Sequence, residues 1–283
     1  MNPLTVRQHV PIPKDRSQIN RYLESLLCTN GQAAGSGVFE AMRYAVLGSA
    51  QRIRPVLSLR IARIIGAPRQ LTLAAAGAVE LLHCASLIID DLPCMDDSPF
   101  RRDRASVHVE FGESTAILAA FALVALAARS VMETPCELED RERAIEFQLA
   151  LLRTLDCCGL IAGQAMDLAS AAGTEPRGAV CISDLKTVPL FTLAVQAGSL
   201  VTIHNADSRA VLSGFGREFG LAFQMSDDLL DGEENDVEPF LEKLSLLRAL
   251  VAHFGPAARD LESLIDYLND RVSFNKSCQQ SCT

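Results

Sequence analysis

The sequence lacks a long uninterrupted apolar run. Its longest uninterrupted apolar run, Ala116 to Ala128, is shorter than the roughly 20 residues that a transmembrane helix requires. The stretch from Met1 to Asp15 also has no apolar core of the kind found in secretory signals. We therefore expect no transmembrane segment, no secretory signal and a cytoplasmic location.

Cysteine motifs for metal or redox chemistry are missing as well. The nine cysteines include no C-x-x-C pair, and the adjacent Cys157 and Cys158 suit neither a zinc site nor a redox pair. A disulfide framework is typical of much smaller secreted chains. We therefore expect plain buried thiols, for example at Cys28, Cys84 and Cys158, because a free thiol packs like a small apolar group.

Excess positive charge is absent, and so are linkers and internal repeats. The formal net charge of −9 argues against a nucleic-acid-binding protein. Only four of the 26 basic residues are lysines, so an interior lysine is a candidate for function. Without a Ser-, Gly- or Pro-rich linker, residues 1–283 are predicted to form a single domain around a large core.

Almost the whole chain is predicted to be helical, because alanine and leucine dominate and hairpin turn signals are absent. The segments Leu71–Ile89 and Thr115–Ala128 are apolar nearly all round, which is typical of helices at the centre of a bundle. The expected fold is therefore all-α, a many-helix bundle. The predicted helices are Arg16–Cys28, Ser36–Leu47, Arg54–Ile65, Leu71–Asp91, Ser114–Met132, Arg141–Leu168, Ile182–Gly198, Asp207–Asp231, Glu238–Phe254 and Ala257–Leu268.

Two of the predicted helices end in clusters of aspartates. The first cluster occupies Asp90–Asp97, where Pro93 separates two aspartate pairs, and the second ends the segment Phe223–Asp231. Negative charge at a helix C-terminus costs roughly 0.3–1 kcal/mol per charge, so several such charges need a cation. Mg²⁺ commonly combines one or two carboxylates with substrate phosphates. A solvated helix end would explain one cluster alone, but two of them indicate a metal–diphosphate site.

Two arginine pairs supply positive charge near these clusters. Arg101 and Arg102 follow the first cluster closely, and Arg52 and Arg54 precede Pro55 at the start of another helix. Solvation at the surface would account for either pair alone. Guanidinium groups also bind phosphate oxygens through paired hydrogen bonds, so diphosphate capture is the functional alternative.

Together these segments resemble the trans-prenyl diphosphate synthase family, and especially its bacterial geranylgeranyl diphosphate synthase branch. Asp90–Asp97 with Arg101 and Arg102 looks like the first aspartate-rich motif of the family, and Phe223–Asp231 looks like the second. The resemblance covers roughly residues 35–255, and its further matches are Gly163–Asp167, Lys186–Thr187 and Arg52–Pro55. It implies an isoprenoid synthase fold, a helical bundle around a deep central cavity, normally assembled as a homodimer.

The resemblance also implies Mg²⁺ as the cofactor, with about three ions per site, and a role for each motif residue. The substrates would be isopentenyl diphosphate and an allylic diphosphate (dimethylallyl, geranyl or farnesyl). Taken alone, His83 is better explained as a core histidine. The implied metal-binding residues are Asp90, Asp91, Asp96, Asp227, Asp228 and Asp231. The implied catalytic residues are Asp90, Asp91, Lys186, Thr187, Gln224 and Asp227. The implied substrate-binding residues are Gln51, Arg54, His83, Arg101, Arg102, Lys186 and Gln224.

Two small residues lie just before the first aspartate pair. In the resembling family, bulk at these positions limits the length of the product. Ala85 and Ser86 are both small, so the prenyl tail is not blocked there. Taken alone, Ala85 is equally well explained as an alanine that packs in the core. The expected product is geranylgeranyl diphosphate (C20), and Ala85→Phe is expected to shorten it.

The chain departs from the family pattern at several basic or glycine positions. Gln51 stands where the family has a lysine, Ser49 and Ala50 replace glycines, and Asp103 replaces a glycine after the arginine pair. The segment 232–238 is acidic and lacks the usual lysine. These departures keep a second hypothesis open, a weak or inactive regulatory subunit of a hetero-oligomeric synthase. A class I terpene cyclase is a third, more remote hypothesis, because cyclases lack the arginine pair and the second motif in this form.

Overall fold

A computed structural model describes residues 13–29, 37–171, 185–200, 206–232 and 234–280. Within these ranges the chain is helical apart from loops and one short hairpin, so the all-α prediction is confirmed. The helices are α1 (Pro13–Thr29), α2 (Gly37–Leu47), α3 (Ile53–Ile65), α4 (Arg69–Asp90), α5 (Val107–Phe111), α6 (Glu113–Met132), α7 (Leu138–Leu155), α8 (Leu160–Ala171), α9 (Val188–Gly198), α10 (Ala206–Asp231), α11 (Glu238–Val251) and α12 (Arg259–Gln280).

Helix α4 lies at the centre of the bundle and packs against α3, α6 and α9. Its buried residues extend from Leu71 to Ile88 and occupy most faces of the helix, as expected from its continuous apolar sequence. Helix α9 also packs against α10, partly through the rings of Phe191 and Phe219, which are tilted by 58° with centroids 5.5 Å apart. Helix α9 therefore joins the two helices that end in aspartate clusters.

Two helices, α4 and α6, are long and apolar enough to cross a membrane by length and composition alone. The apolar window of α4 is 72% buried within the protein, and that of α6 is 44% buried. Core helices of folded proteins pass the same test, and the high burial of α4 places it in that class. Helix α6 differs because part of its apolar surface, including Phe121, is exposed.

The helix predicted over Arg141–Leu168 is divided in the structure. Helix α7 ends at Leu155, a turn follows, and α8 begins at Leu160. The Asp156 carboxylate accepts a hydrogen bond from the backbone N–H of Cys158 at 2.7 Å, which stabilises the turn. A Cβ on Gly159 would lie 2.1 Å from the Thr154 carbonyl oxygen, so this turn requires glycine.

A short hairpin after the first aspartate cluster was not anticipated from the sequence. Strand β1 (Phe100–Arg101) pairs antiparallel with β2 (Arg104–Ala105). The two turn residues, Arg102 and Asp103, have φ values of 54° and 62°, the left-handed region that Gly and Asn usually occupy in such turns. The glycine signal is missing here, which is why the turn was overlooked.

The cysteine prediction was partly wrong. Cys84 is a buried free thiol, whereas the free thiols of Cys28 and Cys158 are exposed. Cys158 is exposed because it lies in the turn between α7 and α8. Cys181 and Cys282, together with the predicted break at 173–178, lie outside the described residues.

Helix α12 extends further than predicted and is fastened to the rest of the bundle. It follows a 3₁₀ segment (Ala252–Ala258), in which Gly255 has a φ of 54°. Arg63 of α3 binds Asp260 of α12 and Asp15 of α1, with N–O distances of 2.8 and 2.7 Å. Arg60 adds hydrogen bonds to Asp15 and to the backbone carbonyl of Asp260. This network fixes the position of α12 beside α3.

Candidate active site

The first aspartate cluster folds back on the end of α4. Backbone hydrogen bonds from Asp96 N–H to the Asp90 carbonyl (2.9 Å) and from Ser98 N–H to the Asp91 carbonyl (3.2 Å) close the loop. Burial raises the pKa of Asp90 to about 6, against the opposing charge of Lys186 and with a further increase from Asp96. Carboxylates crowded in this way favour a cation among them.

Asp91 has a different environment from Asp90. Its side chain is buried and accepts hydrogen bonds at Oδ1 from Arg101 Nε (2.9 Å) and Nη2 (2.5 Å). The Arg101 side chain is 38% exposed, so it lies between this carboxylate and the solvent. Asp91 therefore orients Arg101 at the rim of the cluster.

The second cluster, on α10, is joined to the Lys186–Thr187 segment. Thr187 Oγ1 donates to Gln224 Oε1 at 2.7 Å, and Gln224 Nε2 donates to Asp228 Oδ1 at 2.7 Å. The two hydrogen bonds fix the orientation of the Gln224 amide and connect Thr187 to Asp228. Asp231 lies exposed at the end of α10.

Lys186 lies close enough to the first cluster to interact with its carboxylates. Its Nζ lies 2.5 Å from Asp167 Oδ2 of α8. Burial lowers the pKa of Lys186, but the hydrogen bond to Asp167 and the charges of Asp90 and Asp96 outweigh it and raise the pKa above its ordinary value. A Cβ on Gly163 would lie 2.9 Å from the Leu185 backbone carbon, so glycine permits this close approach of α8.

Lys186 and Thr187 thus connect the two aspartate clusters. Lys186 interacts electrostatically with Asp90 and Asp96 at the end of α4, and Thr187 is hydrogen-bonded to Gln224 of α10. The two helix ends therefore border the same region of the protein, as their sequence pattern indicates.

Arg54 lies between α4 and α10 in a largely apolar setting. Its Nη1 is 3.2 Å from His83 Nε2, and its guanidinium carbon is 4.6 Å from the Phe191 ring and 5.8 Å from the Phe223 ring. Burial lowers the pKa of Arg54 to about 10, against the opposing charges of Glu80 and Asp227. Its Nε is buried and has no hydrogen-bond partner among the described residues. A buried cation with an unused donor is suited to an incoming anion.

His83 is held neutral beside this arginine. Burial, followed by the positive charges of Arg54 and Arg102, lowers the pKa of His83 well below its ordinary value. Since arginine only donates hydrogen bonds, His83 Nε2 must accept from Arg54, and the ring proton is then assigned to Nδ1. His83 therefore acts as the orienting partner of Arg54.

The neighbouring Arg52, which the sequence hypothesis paired with Arg54 for diphosphate capture, is hydrogen-bonded within the fold. It is buried, its Nη1 is 2.6 Å from Glu80 Oε1, and its Nε is 3.0 Å from Asn20 Oδ1. The Val46 carbonyl accepts a further hydrogen bond from it. With these partners, Arg52 locks the start of α3 against α4.

Gln51 is connected to the C-terminal helix. Tyr267 Oη donates a hydrogen bond to Gln51 Oε1 at 2.7 Å. On the same helix, Arg271 Nη2 lies 2.5 Å from Asp227 Oδ1, and Arg271 Nη1 lies 2.9 Å from Ser226 Oγ. Tyr267 and Arg271 were not identified from the sequence, because both lie at the edge of or beyond the helix predicted to end at Leu268.

A small cavity of about 40 Å³ lies beside the first cluster on another face of α4. Its polar walls include Asp91, Arg101 and Arg102, together with Ser49. Arg101 and Arg102 therefore lie together at the wall of this cavity.

The two residues expected to set product length differ in exposure. Ala85 is 3% exposed and packs in the core, whereas Ser86 is partly exposed. Ser86 lies four residues before Asp90 and three after His83, so it shares their face of α4. Of the two, Ser86 therefore lies on the side of α4 that carries the candidate site residues.

The donor set at the aspartate clusters fits Mg²⁺ that arrives with phosphate. Among the described residues, no three acidic, histidine or cysteine side chains are close enough together to hold a metal ion by themselves. Magnesium usually retains waters and binds through one or two carboxylates plus substrate phosphates. In addition, the Oε1 atom of Gln164 is buried without a donor next to Met95 of the first cluster. An unused acceptor at this position suits a metal-bound water.

Comparisons with known proteins identify relatives of this chain. The family model described as polyprenyl synthetase matches residues 36–238. A geranylgeranyl diphosphate synthase from Pantoea ananas is 37% identical over 240 residues, which are 80% of this chain and 76% of that protein. The geranylgeranyl pyrophosphate synthase 4 of Arabidopsis thaliana is 37% identical over 71% of this chain, which spans 54% of that relative. A crystal structure of a geranyltransferase from Legionella pneumophila has a TM-score of 0.84 at 27% identity, covering 93% of this chain and 96% of that chain.

The matched segment contains the features described above. Residues 36–238 include both aspartate clusters, the Lys186–Thr187 segment, Arg54 and the hairpin arginines. The same motifs, in the same order, carried the resemblance seen in the sequence. With helices α2 to α10 arranged around them, the chain belongs to the polyprenyl synthetase family.

Proposed function

We propose that this protein is a Mg²⁺-dependent trans-prenyltransferase that condenses an allylic diphosphate with isopentenyl diphosphate and makes geranylgeranyl diphosphate. The observation that carries the proposal is the connection of the two aspartate clusters through Lys186 and Thr187. Carboxylates and cations alternate there, which is the arrangement needed to hold a diphosphate with its metal ions.

The allylic diphosphate would bind between the two clusters. The carboxylates of both clusters would hold about three Mg²⁺ ions together with its phosphate oxygens. Lys186, Thr187, Gln224 and Arg101 line the same region and would contact the diphosphate oxygens directly. The proposed metal ligands are Asp90, Asp91 and Asp96 on one side and Asp227, Asp228 and Asp231 on the other.

Isopentenyl diphosphate would bind at Arg54. The unused Nε donor of Arg54 and the adjacent Arg102 would take up its phosphate oxygens, and neutral His83 would keep the guanidinium oriented. Gln51 would add a neutral amide where the family usually has a lysine. A charge-assisted hydrogen bond contributes about 1.5–3 kcal/mol, so the remaining arginines carry most of this binding.

The reaction would begin with departure of the allylic diphosphate. Bound magnesium would supply Lewis-acid stabilisation of the charge on that leaving group. Lys186 and Arg101 are placed to neutralise the remaining charge as the carbon–oxygen bond breaks. The isopentenyl double bond then attacks the allylic cation, and the adduct loses a proton, for which the departed diphosphate is the proposed acceptor. The phenyl rings of Phe191 and Phe223 would keep water away.

The direct test is incubation of the purified protein with farnesyl diphosphate, isopentenyl diphosphate and Mg²⁺, followed by chromatography of the dephosphorylated products. We expect geranylgeraniol, and we expect no product when EDTA is present. An inactive regulatory subunit would give no product unless a partner polypeptide is added. A cyclised hydrocarbon formed without isopentenyl diphosphate would instead identify a terpene cyclase.

Replacement of Ser86 by phenylalanine should shorten the product. Ser86 lies on the face of α4 that carries His83 and Asp90, so a phenyl ring there would fill the space into which the prenyl tail grows. We expect the main product to change from C20 to C15 when dimethylallyl or geranyl diphosphate is the primer. Ser86→Ala, which adds no bulk, should leave the product at C20. Ala85→Phe should have the same effect only by displacing the core, and it should lower Tm by overpacking.

We further propose that the protein is a cytoplasmic homodimer that pairs through α6 and α7. Among the described residues, seven of the twelve large apolar side chains that are exposed lie on these two helices, and Phe121 is 70% exposed. A patch of this kind is typical of a protein–protein interface. The members of the patch are Ile117, Leu118, Phe121, Ile145, Leu149 and Leu152.

The replacement Phe121→Glu should convert this dimer into monomers. A carboxylate at the centre of an apolar interface would be buried without a partner. We expect the mass measured by light scattering during gel filtration to fall by half. Leu241→Glu, at an exposed leucine of α11 away from the patch, should keep the dimer mass. A Phe121→Glu protein that remains dimeric would place the interface elsewhere.

A further inference from the structure

Helix α12 brings a cation to the second aspartate cluster. Arg271 Nη2 lies 2.5 Å from Asp227 Oδ1, its Nη1 is 2.9 Å from Ser226 Oγ, and its guanidinium carbon is 4.7 Å from the centre of the Phe223 ring. The Arg271 side chain is only 13% exposed. Three partners on α10 therefore fix this guanidinium in one orientation.

Arg271 supplies positive charge that the segment after the second cluster lacks. The segment 232–238, which follows the second cluster, contains three glutamates and an aspartate but no lysine or arginine. Arg271 lies outside residues 36–238, which the family model matches, so none of the family motifs includes it. A fixed positive charge thus reaches this side of the site from a different element.

The same helix also contacts the other side of the site. Tyr267, one helical turn before Arg271, is buried and donates a hydrogen bond to Gln51 at 2.7 Å. Its ring centre lies 5.9 Å from the Arg271 guanidinium carbon. Because α12 is anchored to α3 through Asp260, this pair is part of the rigid bundle.

We propose that Arg271 is a positioning residue for the condensation, an inference that rests on the proposed function. Arg271 holds Asp227 through Oδ1 and leaves its other oxygen, Oδ2, for the metal–diphosphate complex. Outer partners of this kind orient metal-binding carboxylates, and their loss typically weakens metal affinity or activity about 10- to 100-fold. The guanidinium also adds positive charge near the diphosphate in place of the lysine that segment 232–238 lacks.

The test compares Arg271→Gln, Arg271→Lys and Arg248→Gln. Arg248 of α11 forms an ion pair with Asp266 of α12, with 2.8 Å between Nη2 and Oδ1. Both side chains are exposed, and neither residue belongs to the aspartate clusters. Replacement of Arg248 therefore removes an arginine contact to the same helix without touching the site. Thermal unfolding without ligand first measures how far each variant is destabilised.

The main readout is binding of inorganic diphosphate in the presence of Mg²⁺, measured by isothermal titration calorimetry. We expect Arg271→Gln to weaken this binding about 10- to 100-fold, Arg271→Lys to recover part of it, and Arg248→Gln to match the unchanged protein. The Mg²⁺ concentration for half-maximal turnover should rise most in Arg271→Gln, less in Arg271→Lys and not at all in Arg248→Gln.

The inference is overturned if Arg271→Gln lowers Tm but binds Mg²⁺ and diphosphate as the unchanged protein does, since Arg271 would then only anchor α12. Equal losses in Arg271→Gln and Arg248→Gln would overturn it as well. The proposed function fails separately, if the unchanged protein itself neither binds Mg²⁺ with diphosphate nor elongates farnesyl diphosphate.

Discussion

Replacement of Asp90 by asparagine should reduce kcat/KM by about 100-fold or more, the scale seen when one electrostatic contact to a developing charge is removed. An asparagine side chain would keep the shape of the aspartate but lose the negative charge that holds Mg²⁺. Burial raises the pKa of Asp90 to about 6, with a further increase from Asp96, so the charged form opposes stability and asparagine removes that charge. The loss of activity should therefore come with an unchanged or higher Tm.

Asp97→Asn is the matched control for this variant. Asp97 belongs to the same cluster but is exposed, and its φ of 48° is one that asparagine also adopts readily. Steady-state assays with varied Mg²⁺ should show near-normal activity for Asp97→Asn and a large defect for Asp90→Asn. Near-normal activity in Asp90→Asn would refute the assignment of Asp90 as a metal ligand.

The second large effect is expected at Arg54. Arg54→Met removes the buried guanidinium from between Phe191 and Phe223 and should lower kcat/KM for isopentenyl diphosphate roughly 10- to 150-fold, from the 1.5–3 kcal/mol of a charge-assisted contact. The defect should appear mainly in the KM for isopentenyl diphosphate, and the KM for the allylic substrate should change little.

The thermal stability of Arg54→Met should rise although its activity falls. Burial lowers the pKa of Arg54 to about 10, so the protein without substrate holds this charge at a cost. Methionine at this position would keep the packing and remove that cost, so Tm should rise. A functional site that opposes stability is common among enzymes.

Arg52→Met is the contrasting control. Arg52 is also buried, but it forms an ion pair with Glu80 at 2.6 Å, and breaking a buried pair typically costs about 3–5 kcal/mol. Chemical denaturation should therefore show a strongly destabilised Arg52→Met and a stable but impaired Arg54→Met. If both variants were destabilised alike, Arg54 would be a structural residue.

The parts of the site that could be predicted are those carried by continuous segments. Asp90 ends an apolar helix and Asp227 lies one turn before the end of another helix, and this local contrast between apolar residues and carboxylates is visible in the sequence alone. Arg54 and Lys186 were also identified, although their substrate roles came from the family resemblance. The helical fold followed from composition, because few strand or turn signals interrupt the alanine- and leucine-rich segments.

The parts that could not be predicted depend on pairing between distant segments. Tyr267 and Gln51 are 216 residues apart, and no periodicity links them. Arg52 and Arg54 look equivalent in sequence, but only the packing of α3 on α4 directs one to Glu80 and the other to His83. The hairpin turn at Arg102 and Asp103 was missed because neither residue is the glycine that normally marks such a backbone.

The anchoring of α12 has a consequence for the order in which the protein is made. A ribosome that has translated as far as Asp231 has already produced both acidic helix ends, but the guanidinium that restrains Asp227 is encoded forty codons later, at position 271. The nascent polypeptide must therefore keep its pocket unfinished until the last described helix emerges and docks.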